Sequence, residues 1–452
     1  MELMDYTTRC FTFMMACKAL DALYFQKIIL HQRRGSWSAL WAAAPVLLFN
    51  LVIPFLFDHR RCDVGIPAHA AAVLAWISNF KVLAFVSGRG PHYSKGMSFR
   101  DIFGCLMTPA TIAYTASAHD ASAAAKKTDE PTPDAKAQPT SNGHGSRLVV
   151  TEDPLPVMTI LQMHGRRLLM YMSALGVIWA GLRYSAALRL PLWAVQGLYG
   201  AGFLAFHLFT HTPWECISSL LTRRPPIHNG WRPWAPRSIA DFWGNRWNRT
   251  GSDLGRWVVY EPIVTGRWRV APGTDLRPVL RAAPTWRRTL GVLCTFAVSG
   301  LAHELIWASM TGTPLWSFLV YFLANGVVVV GEGLAREWLW RHRVDSRKQA
   351  ADKRQNGSLN VVGSMNGHGS GSRSSSEQSG LKAAASSTGS SVLLSPYTLV
   401  LQAVQSIAVF AVVMGLGGWL VWPRLASSIG EKFLGVGPGL TFAQLHARLF
   451  AR

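Results

Sequence analysis

The sequence predicts an all-α polytopic membrane protein with about seven or eight transmembrane helices. Composition is the first observation behind this prediction. Hydrophobic residues make up 49% of the 452 residues, charged residues only 15%, and 19 residues are tryptophan. This balance is more apolar than that of ordinary soluble domains. The second observation is that the apolar residues form long stretches, and the third is that basic residues lie mainly between those stretches.

Six stretches approach or exceed the ~20 residues that a helix needs to cross the hydrocarbon of a bilayer. Charged residues are rare in all of them, which also favours transmembrane helices. The stretches are residues 38–57, 168–187, 191–210, 289–310, 314–334 and 396–421.

Two further stretches are apolar but carry polar residues. Residues 68–86 contain Asn79 and Lys81, so they form a less apolar seventh span. Residues 11–30 contain Lys18, Asp21 and Lys27, which predicts an interfacial or partly buried helix rather than a free span. The first residues lack the basic start, short apolar run and small-residue cleavage site of a signal peptide.

Basic residues predict the orientation in the membrane, because Lys and Arg near span ends collect on the cytoplasmic side. Residues 211–288 are rich in arginine and are therefore expected in the cytoplasm, together with the loop after Val86 and the linker after Leu334. These loops account for the formal net charge of +21. No basic stripe marks a soluble module, so nucleic acid is not an expected partner.

Two low-complexity stretches divide the chain. Residues 116–147 are rich in Ala, Lys, Asp and Pro, and residues 345–391 are rich in Ser, Gly and Asn. Neither has enough apolar residues to offset the entropy of ordering, so both are predicted to be disordered cytoplasmic segments. The remaining parts are an N-terminal interfacial segment with the first spans (1–115), a membrane core (148–344), and a C-terminal span with its tail (392–452).

Cysteine and histidine spacing gives no sign of a metal site. The six cysteines form no CxxC pair and are predicted to be structural thiols. His207 and His211 lie four residues apart and could chelate a metal from one helix face. No third ligand is near them in sequence, so a packed or interfacial pair is the preferred interpretation, and no metal is predicted.

The stretch SIADFWGNRWNRT (residues 238–250) mixes tryptophan with charged and amide side chains. As one helix it would place Trp243 and Trp247 on one face and Asp241, Asn245 and Asn248 on another. Such a helix suits an interface that is apolar on one side and wet on the other.

The stretch VSGLAHELIW (residues 298–307) places a histidine and a glutamate inside an otherwise apolar span. Ionisable residues at membrane depth are expensive, so they usually face a cavity or a partner and have a function. Ser299 lies four residues before His303 on the same helical face and could orient its ring, whereas Glu304 points elsewhere. Position 307 is Trp, so the sequence is not the HExxH pattern of zinc proteases.

DFWGNRWN, followed on a later span by SGLAHEL, resembles the membrane-bound O-acyltransferase superfamily, and within it fungal secondary-metabolite members of the wax synthase branch. NFKVLAFVSGRGP (residues 79–91) is similar to an early span and turn of the same family. Asn245 departs from the pattern, because many relatives have arginine there. The resemblance covers residues 68–421 except the two low-complexity segments.

The resemblance implies helices around a reaction tunnel and transfer of an acyl group from coenzyme A to a hydroxyl. It implies His303 as the general base and Asn248 as the second catalytic residue, with no permanently bound cofactor. The expected supporting residues are Ser299, Glu304, Trp247 and Asp241. The residues expected near coenzyme A are Arg246, Arg249 and Trp243, although positive-inside topology alone would also explain the arginines.

The expected donor is acetyl-CoA, and the expected acceptor is a lipophilic hydroxylated terpenoid or related secondary metabolite. The expected location is the endoplasmic reticulum membrane, as a multi-pass protein. One alternative is a wax ester synthase that joins long-chain acyl-CoA to a fatty alcohol. A second is a proton-coupled transporter that uses His303 and Glu304 as a relay. A third, a non-catalytic membrane scaffold, leaves the intramembrane histidine without a purpose.

Overall fold

The computed structural model describes residues 2–112 and 154–362, with gaps at 59–64, 91–92, 94–96, 109–110, 186, 228–229, 231–232 and 272–273. Near the C-terminus it describes residues 404–406, 408–409, 411–413, 415–417 and 421. The disordered segment predicted at 116–147 lies outside the described residues, as do most of the 345–391 segment and most of the C-terminal tail.

Helices dominate the described part of the chain. The N-terminal helices are α1 (Glu2–Lys27), a 3-10 turn (Ile29–His31), α2 (Trp37–Val52) with a 3-10 extension (Ile53–Leu56), α3 (Gly65–Val86) and α4 (Phe99–Leu106). The middle of α3 is π-helical over Ala71–Ser78. The two short strands β1 (Thr111–Ile112) and β2 (Pro226–Ile227) pair antiparallel.

The later helices begin with the long pair α5 (Val157–Arg183) and α6 (Leu192–Thr222). Four short helices follow: α7 (Ile239–Asp241, continued as a π-helix over Phe242–Arg246), α8 (Arg249–Gly255, continued as a π-helix over Arg256–Tyr260), α9 (Glu261–Thr265) and α10 (Arg277–Ala282). Next along the chain come α11 (Thr285–Thr311) and α12 (Ser317–Val362).

Four helices in the described residues are long and apolar enough to cross a membrane: Trp37–Leu56, Gly65–Val86, Thr285–Thr311 and Ser317–Val344. They coincide with four of the predicted spans, so the prediction of an integral membrane protein with several helical spans is supported. The predicted spans at 168–187 and 191–210 lie on α5 and α6, and residues 396–421 overlap a shorter apolar helix, Val404–Gly417. The total of seven or eight stays a prediction.

The central position of α3 explains why a span tolerates polar residues. Asn79 is buried and donates to the Leu47 backbone oxygen at 3.0 Å, while its own side-chain oxygen accepts from Asn50 Nδ2 at 3.0 Å. Lys81 is buried as well, and its Nζ donates to the backbone oxygens of Cys105 (2.5 Å) and Thr108 (2.8 Å). Buried polar groups are tolerated where they are hydrogen-bonded. The least apolar of the predicted spans is therefore an interior helix.

Two of the three charged residues singled out on α1 point inward, whereas Lys27 is exposed. Lys18 and Asp21 are buried, and Lys18 Nζ lies 2.6 Å from His69 Nε2 on α3. The sequence predicted that this helix is either interfacial or partly buried. The structure shows that its Lys18 and Asp21 side chains are buried.

The pair α5 and α6 buries several polar residues and exposes several large apolar ones. Arg167 Nη1 lies 3.4 Å from Glu215 Oε2, and Glu215 is buried between the helices. Val177, Trp179 and Trp193 are 74%, 59% and 75% exposed. This inside-out pattern is the one expected where the outer surface meets lipid rather than water.

The helix α12 differs from the prediction at its C-terminal end. The segment 345–391 is predicted to be disordered, but α12 continues to Val362. A helix that leaves the membrane can extend into the next residues, because each added residue gains a backbone hydrogen bond without a new nucleation step.

Candidate active site

The stretch 238–250 forms a capped turn of helix and then breaks. Ser238 Oγ accepts from the Asp241 backbone N–H at 2.9 Å, which caps the start of α7. The helix ends at Arg246, and Trp247 has extended backbone angles (φ −99°, ψ 130°). The prediction that Trp243 and Trp247 share one helical face is therefore wrong. Their rings meet edge to face instead, with centroids 6.5 Å apart.

Asp241 organises this segment through its carboxylate. It accepts from the Arg237 backbone N–H (2.9 Å), from Asn245 Nδ2 (3.2 Å) and from Arg246 Nε (2.5 Å). Partial burial favours the neutral carboxyl, but these three hydrogen bonds outweigh it and hold the pKa of Asp241 below its ordinary value. Asp241 and Arg246 thus form a partly buried ion pair that fixes the shape of the turn.

Asn248 follows the break in a left-handed conformation (φ 39°, ψ 60°) and caps α8. Its side chain accepts from the Gly251 backbone N–H at 3.1 Å. A backbone N–H can only donate, so the atom that faces it must be the oxygen Oδ1. The amide group Nδ2 is then free to donate elsewhere. Gly251 permits this arrangement because a Cβ there would lie 2.8 Å from Asn248 Nδ2.

The two tryptophans of the segment join different helices. Trp243 packs against Phe296 of α11 and against Tyr321 and Phe322 of α12, and its Nε1 donates to Asn325 Oδ1 at 3.2 Å. Trp247 stacks instead on His207 of α6, with ring centroids 4.5 Å apart. The segment 238–250 therefore links α6 to the pair α11 and α12.

His303 lies on α11 within a cage of aromatic rings. The ring centroids of Phe322 and Trp76 are 4.5 Å and 5.1 Å from that of His303. Phe322 also touches Trp243, at 5.5 Å, so one side chain connects the two sequence signatures. Trp76 belongs to the π-helical part of α3, and such departures from α-helical geometry are frequent at functional sites.

The hydrogen bond of His303 decides which ring nitrogen is basic. His303 Nδ1 lies 2.7 Å from the backbone oxygen of Ser299. That oxygen can only accept, so Nδ1 carries the proton in the neutral ring and Nε2 carries the lone pair. Ser299 does meet the ring, as predicted from its spacing, but through its backbone carbonyl.

Glu304 points away from His303 and binds the start of α12. It is 4% exposed and accepts from the backbone N–H groups of Leu315 (2.8 Å), Phe318 (2.8 Å) and Leu319 (3.2 Å). The Phe318 and Leu319 donors are among the groups that the first turn of a helix leaves without an intrahelical partner, and Leu315 lies just before that turn. The carboxylate is engaged as a helix cap, which argues against a proton relay between His303 and Glu304.

His207 is a residue whose place in the site the sequence did not indicate. Its ring contacts those of Trp247 and His211, with centroids 4.5 Å and 4.0 Å away. His207 Nε2 is buried and has no hydrogen-bond partner among the described residues. His211 Nδ1 lies 2.8 Å from the His207 backbone oxygen. The two histidines form a packed pair beside Trp247.

The arginines of the segment are engaged to different degrees. Arg246 is paired with Asp241, whereas Arg249 Nε is 3.9 Å from Asp253 Oδ2 and 37% of its side chain is exposed. Burial raises the pKa of Asp253 to about 6, against the opposing effect of Arg249 and Arg256. Of the two arginines expected near coenzyme A, Arg249 is therefore the one with the weaker internal pairing.

Residues 225–323 match a family model described as the membrane bound O-acyl transferase family. The matched range contains both residues 241–248 and His303. These residues are therefore similar to that acyltransferase family. The matched range lies within residues 148–344.

Two relatives extend the similarity beyond the range that matches the family model. The chain is 28% identical over 288 residues to an acyl-CoA–sterol O-acyltransferase of Arabidopsis thaliana, covering 62% of this chain and 68% of the relative. It is 25% identical over 305 residues to a long-chain-alcohol O-fatty-acyltransferase of Simmondsia chinensis, covering 65% and 71% respectively. The family match and the relatives support the predicted superfamily and confirm the prediction of an acyl-transferring enzyme.

Proposed function

We propose that the protein transfers an acyl group from acyl-CoA to the hydroxyl of a lipophilic acceptor, with His303 as the general base. The observation that carries this proposal is the hydrogen bond from His303 Nδ1 to the Ser299 carbonyl, which leaves Nε2 as a lone-pair acceptor inside an aromatic cage. The relatives, a sterol and a long-chain-alcohol O-acyltransferase, support a hydroxyl acceptor of low polarity.

The chemistry requires a base because an alcohol is a poor nucleophile. Its pKa lies roughly nine units above that of neutral histidine, so the proton must leave as the new bond forms. In the proposed step the hydroxyl oxygen attacks the thioester carbonyl carbon and its proton passes to His303 Nε2. The tetrahedral intermediate then collapses, the carbon–sulfur bond breaks, and the thiolate takes the proton from His303. The products are the ester and free coenzyme A.

Asn248 is the proposed donor to the oxyanion of that intermediate. The hydrogen bond from Gly251 to Oδ1 fixes the orientation of the amide and leaves Nδ2 to donate. A preorganised donor of this kind is typically worth ~10²- to 10³-fold in rate. Asp241, Trp243 and Trp247 support the turn that presents Asn248. The mechanism needs no acyl-enzyme, because the base acts directly on the acceptor.

For the acceptor we propose a hydroxylated polycyclic terpenoid, with acetyl-CoA as the donor. The flat rings around His303 favour a rigid apolar acceptor, and a sterol O-acyltransferase among the relatives is consistent with a polycyclic alcohol. A wax ester synthase is the second candidate, because the other relative acts on long-chain alcohols. We place either enzyme in the endoplasmic reticulum membrane, which co-localisation of a tagged chain with a marker protein would test.

A head-to-head assay with purified membranes tests the substrate proposal. Acetyl-CoA and palmitoyl-CoA would each be offered with a hydroxylated terpenoid and with hexadecanol, and the esters would be quantified. The proposal expects acetyl transfer to the terpenoid to be fastest. Faster transfer of palmitate to hexadecanol would replace it with the wax ester synthase.

A further inference from the structure

A cavity of about 300 Å³ lies beside the turn that follows α3, outside the cage around His303. This volume is at the lower end of the ~300–1,000 Å³ typical of small-molecule sites. We call it the arginine pocket, because its lining contains four arginines against two carboxylates. The charged and aromatic lining residues are Arg34, Arg89, Arg256, Arg277, Glu261, Asp275 and Trp257.

The wall of the arginine pocket is held together by a close backbone contact and by hydrogen bonds. Gly88 has a positive φ of 82°, and a Cβ there would lie 2.0 Å from the backbone oxygen of Val270. The Val270 backbone N–H donates to the Ser87 oxygen at 3.0 Å, which holds the two segments together. Arg89 is buried beneath them and donates to the backbone oxygens of Arg267 and Trp268. The stretch SGRG (residues 87–90), which lies in the turn that resembles one of the family, therefore contributes to this wall.

The remaining arginines differ in how much charge they offer a ligand. Arg34 Nη2 donates to the Arg89 backbone oxygen at 2.8 Å, and Arg256 Nε lies 3.2 Å from Glu261 Oε1. Arg277 is exposed, and its guanidinium forms no ion pair or hydrogen bond within the described part of the chain. Arg277 thus supplies the most available positive charge in the arginine pocket.

The lining suits a nucleotide that carries phosphate groups. A guanidinium presents several N–H donors in a planar fork that matches phosphate oxygens. The Trp257 ring also lines the cavity, and an aromatic face of this kind can stack against a purine base. The excess of arginines over carboxylates favours an anionic ligand.

The distance from the arginine pocket to His303 can be measured along two helices, α11 and α3. Gly255, next to Arg256, packs against Thr295 of α11, and His303 lies eight residues further along that helix, which is about 12 Å. On α3, Trp76 touches His303 and precedes Val86, at the pocket end, by ten residues, or about 15 Å. The two helices place the pocket and His303 about 12–15 Å apart along their axes.

The donor has a chain of matching length between its phosphates and its sulfur. The pantetheine arm of coenzyme A has about fourteen bonds, and an extended chain advances ~3.4 Å per three bonds, which gives a reach of ~16 Å. A nucleotide in the arginine pocket would therefore bring the thioester to His303.

We propose that the arginine pocket binds the phosphorylated adenosine end of acyl-CoA, with Arg277 as its principal phosphate ligand. This rests on the proposed function and deepens it. It also differs from the expectation for Arg246 and Arg249, since Arg246 is held by Asp241.

Binding of radiolabelled coenzyme A to the full chain in phosphatidylcholine nanodiscs tests the proposal. Arg277→Gln should weaken binding at least ~10-fold, because a charge-assisted hydrogen bond is lost. Arg281→Gln is the matched control, since Arg281 lies on the same short helix, is exposed and does not line the cavity. It should change binding less than ~2-fold. The nucleotide alone, 3′-phosphoadenosine 5′-phosphate, should compete in the wild type.

Unchanged coenzyme A affinity in Arg277→Gln, or no competition by the nucleotide, would overturn the proposal. Thr274→Trp fills the cavity without changing charge and should also weaken binding, so the test does not depend on one variant. Repeating the binding measurement in nanodiscs that contain phosphatidylserine tests whether the arginine pocket binds a lipid headgroup instead. If Arg277→Gln removed only an effect of that lipid, the pocket would be a lipid site and the proposal would be wrong.

A second donor separates this proposal from the proposed function. An acyl thioester of N-acetylcysteamine lacks the nucleotide, so wild type and Arg277→Gln should use it at equal rates. A selective loss with acyl-CoA supports the pocket, and an equal loss with both donors contradicts it. If the wild type transferred acyl groups from neither donor, the proposed function would fail, while the binding result would still judge the pocket.

Discussion

Replacing Glu304 with alanine should destabilise the protein rather than remove a catalytic group. The carboxylate is 4% exposed and accepts three backbone N–H groups at the start of α12. A hydrogen bond to a charged group contributes about 1.5–3 kcal/mol, and an unsatisfied buried donor costs about 1–3 kcal/mol. These two contributions describe the same hydrogen bonds and are not additive. We therefore expect Glu304→Ala to lower the free energy of unfolding by about 3–5 kcal/mol.

Thermal unfolding in detergent, followed with a thiol-reactive dye, measures this loss. Glu337→Ala is the matched control, because Glu337 pairs with Arg341 on an exposed helix surface and should contribute less than about 1 kcal/mol. Acyl transfer should be measured per folded molecule. A Glu304→Ala protein that melts at the wild-type temperature but has no activity would refute this structural role, because Glu304 would then act in the reaction.

Three further predictions follow from the site and the linker. Asn248→Ala should lower turnover ~10²-fold with little change in coenzyme A affinity; a loss of affinity with intact turnover would make Asn248 a binding residue. At pH values above about 6, Asp253→Asn should raise the melting temperature. Burial favours the neutral carboxyl of Asp253 and raises its pKa to about 6, so its contribution to stability is complete below about pH 4 and is lost as the pH rises through about 6. The opposite shift at high pH would show that the ion pair with Arg249 dominates. Deleting residues 363–391 should leave activity intact, since the sequence predicts a segment with no apolar face; an inactive but folded protein would reveal a role for it.

The spans were the most predictable part of the fold. Residues 38–57, 68–86, 289–310 and 314–334 all coincide with apolar helices, because span length and composition are properties of the local sequence. The sequence also showed that His303 is an ionisable residue inside an apolar span, which is unusual.

The tertiary arrangement of the site was not predictable. Helical periodicity placed Trp243 and Trp247 on one face, but the chain leaves the helix after Arg246, and no local pattern indicated that break. The role of Glu304 depends on a turn of chain eleven residues away that returns to it. Trp76 and His207 reach the site from α3 and α6, and only the packing of those helices brings them there.

The central claim is that His303 takes the proton of the acceptor hydroxyl. The direct test is the single-turnover rate of ester formation from labelled acyl-CoA by His303→Ala, with coenzyme A binding and thermal unfolding measured on the same preparation. We predict wild-type binding and folding with a rate at least ~10²-fold lower, the minimum expected of a positioned base. Retention of more than about a tenth of the wild-type rate would contradict the account.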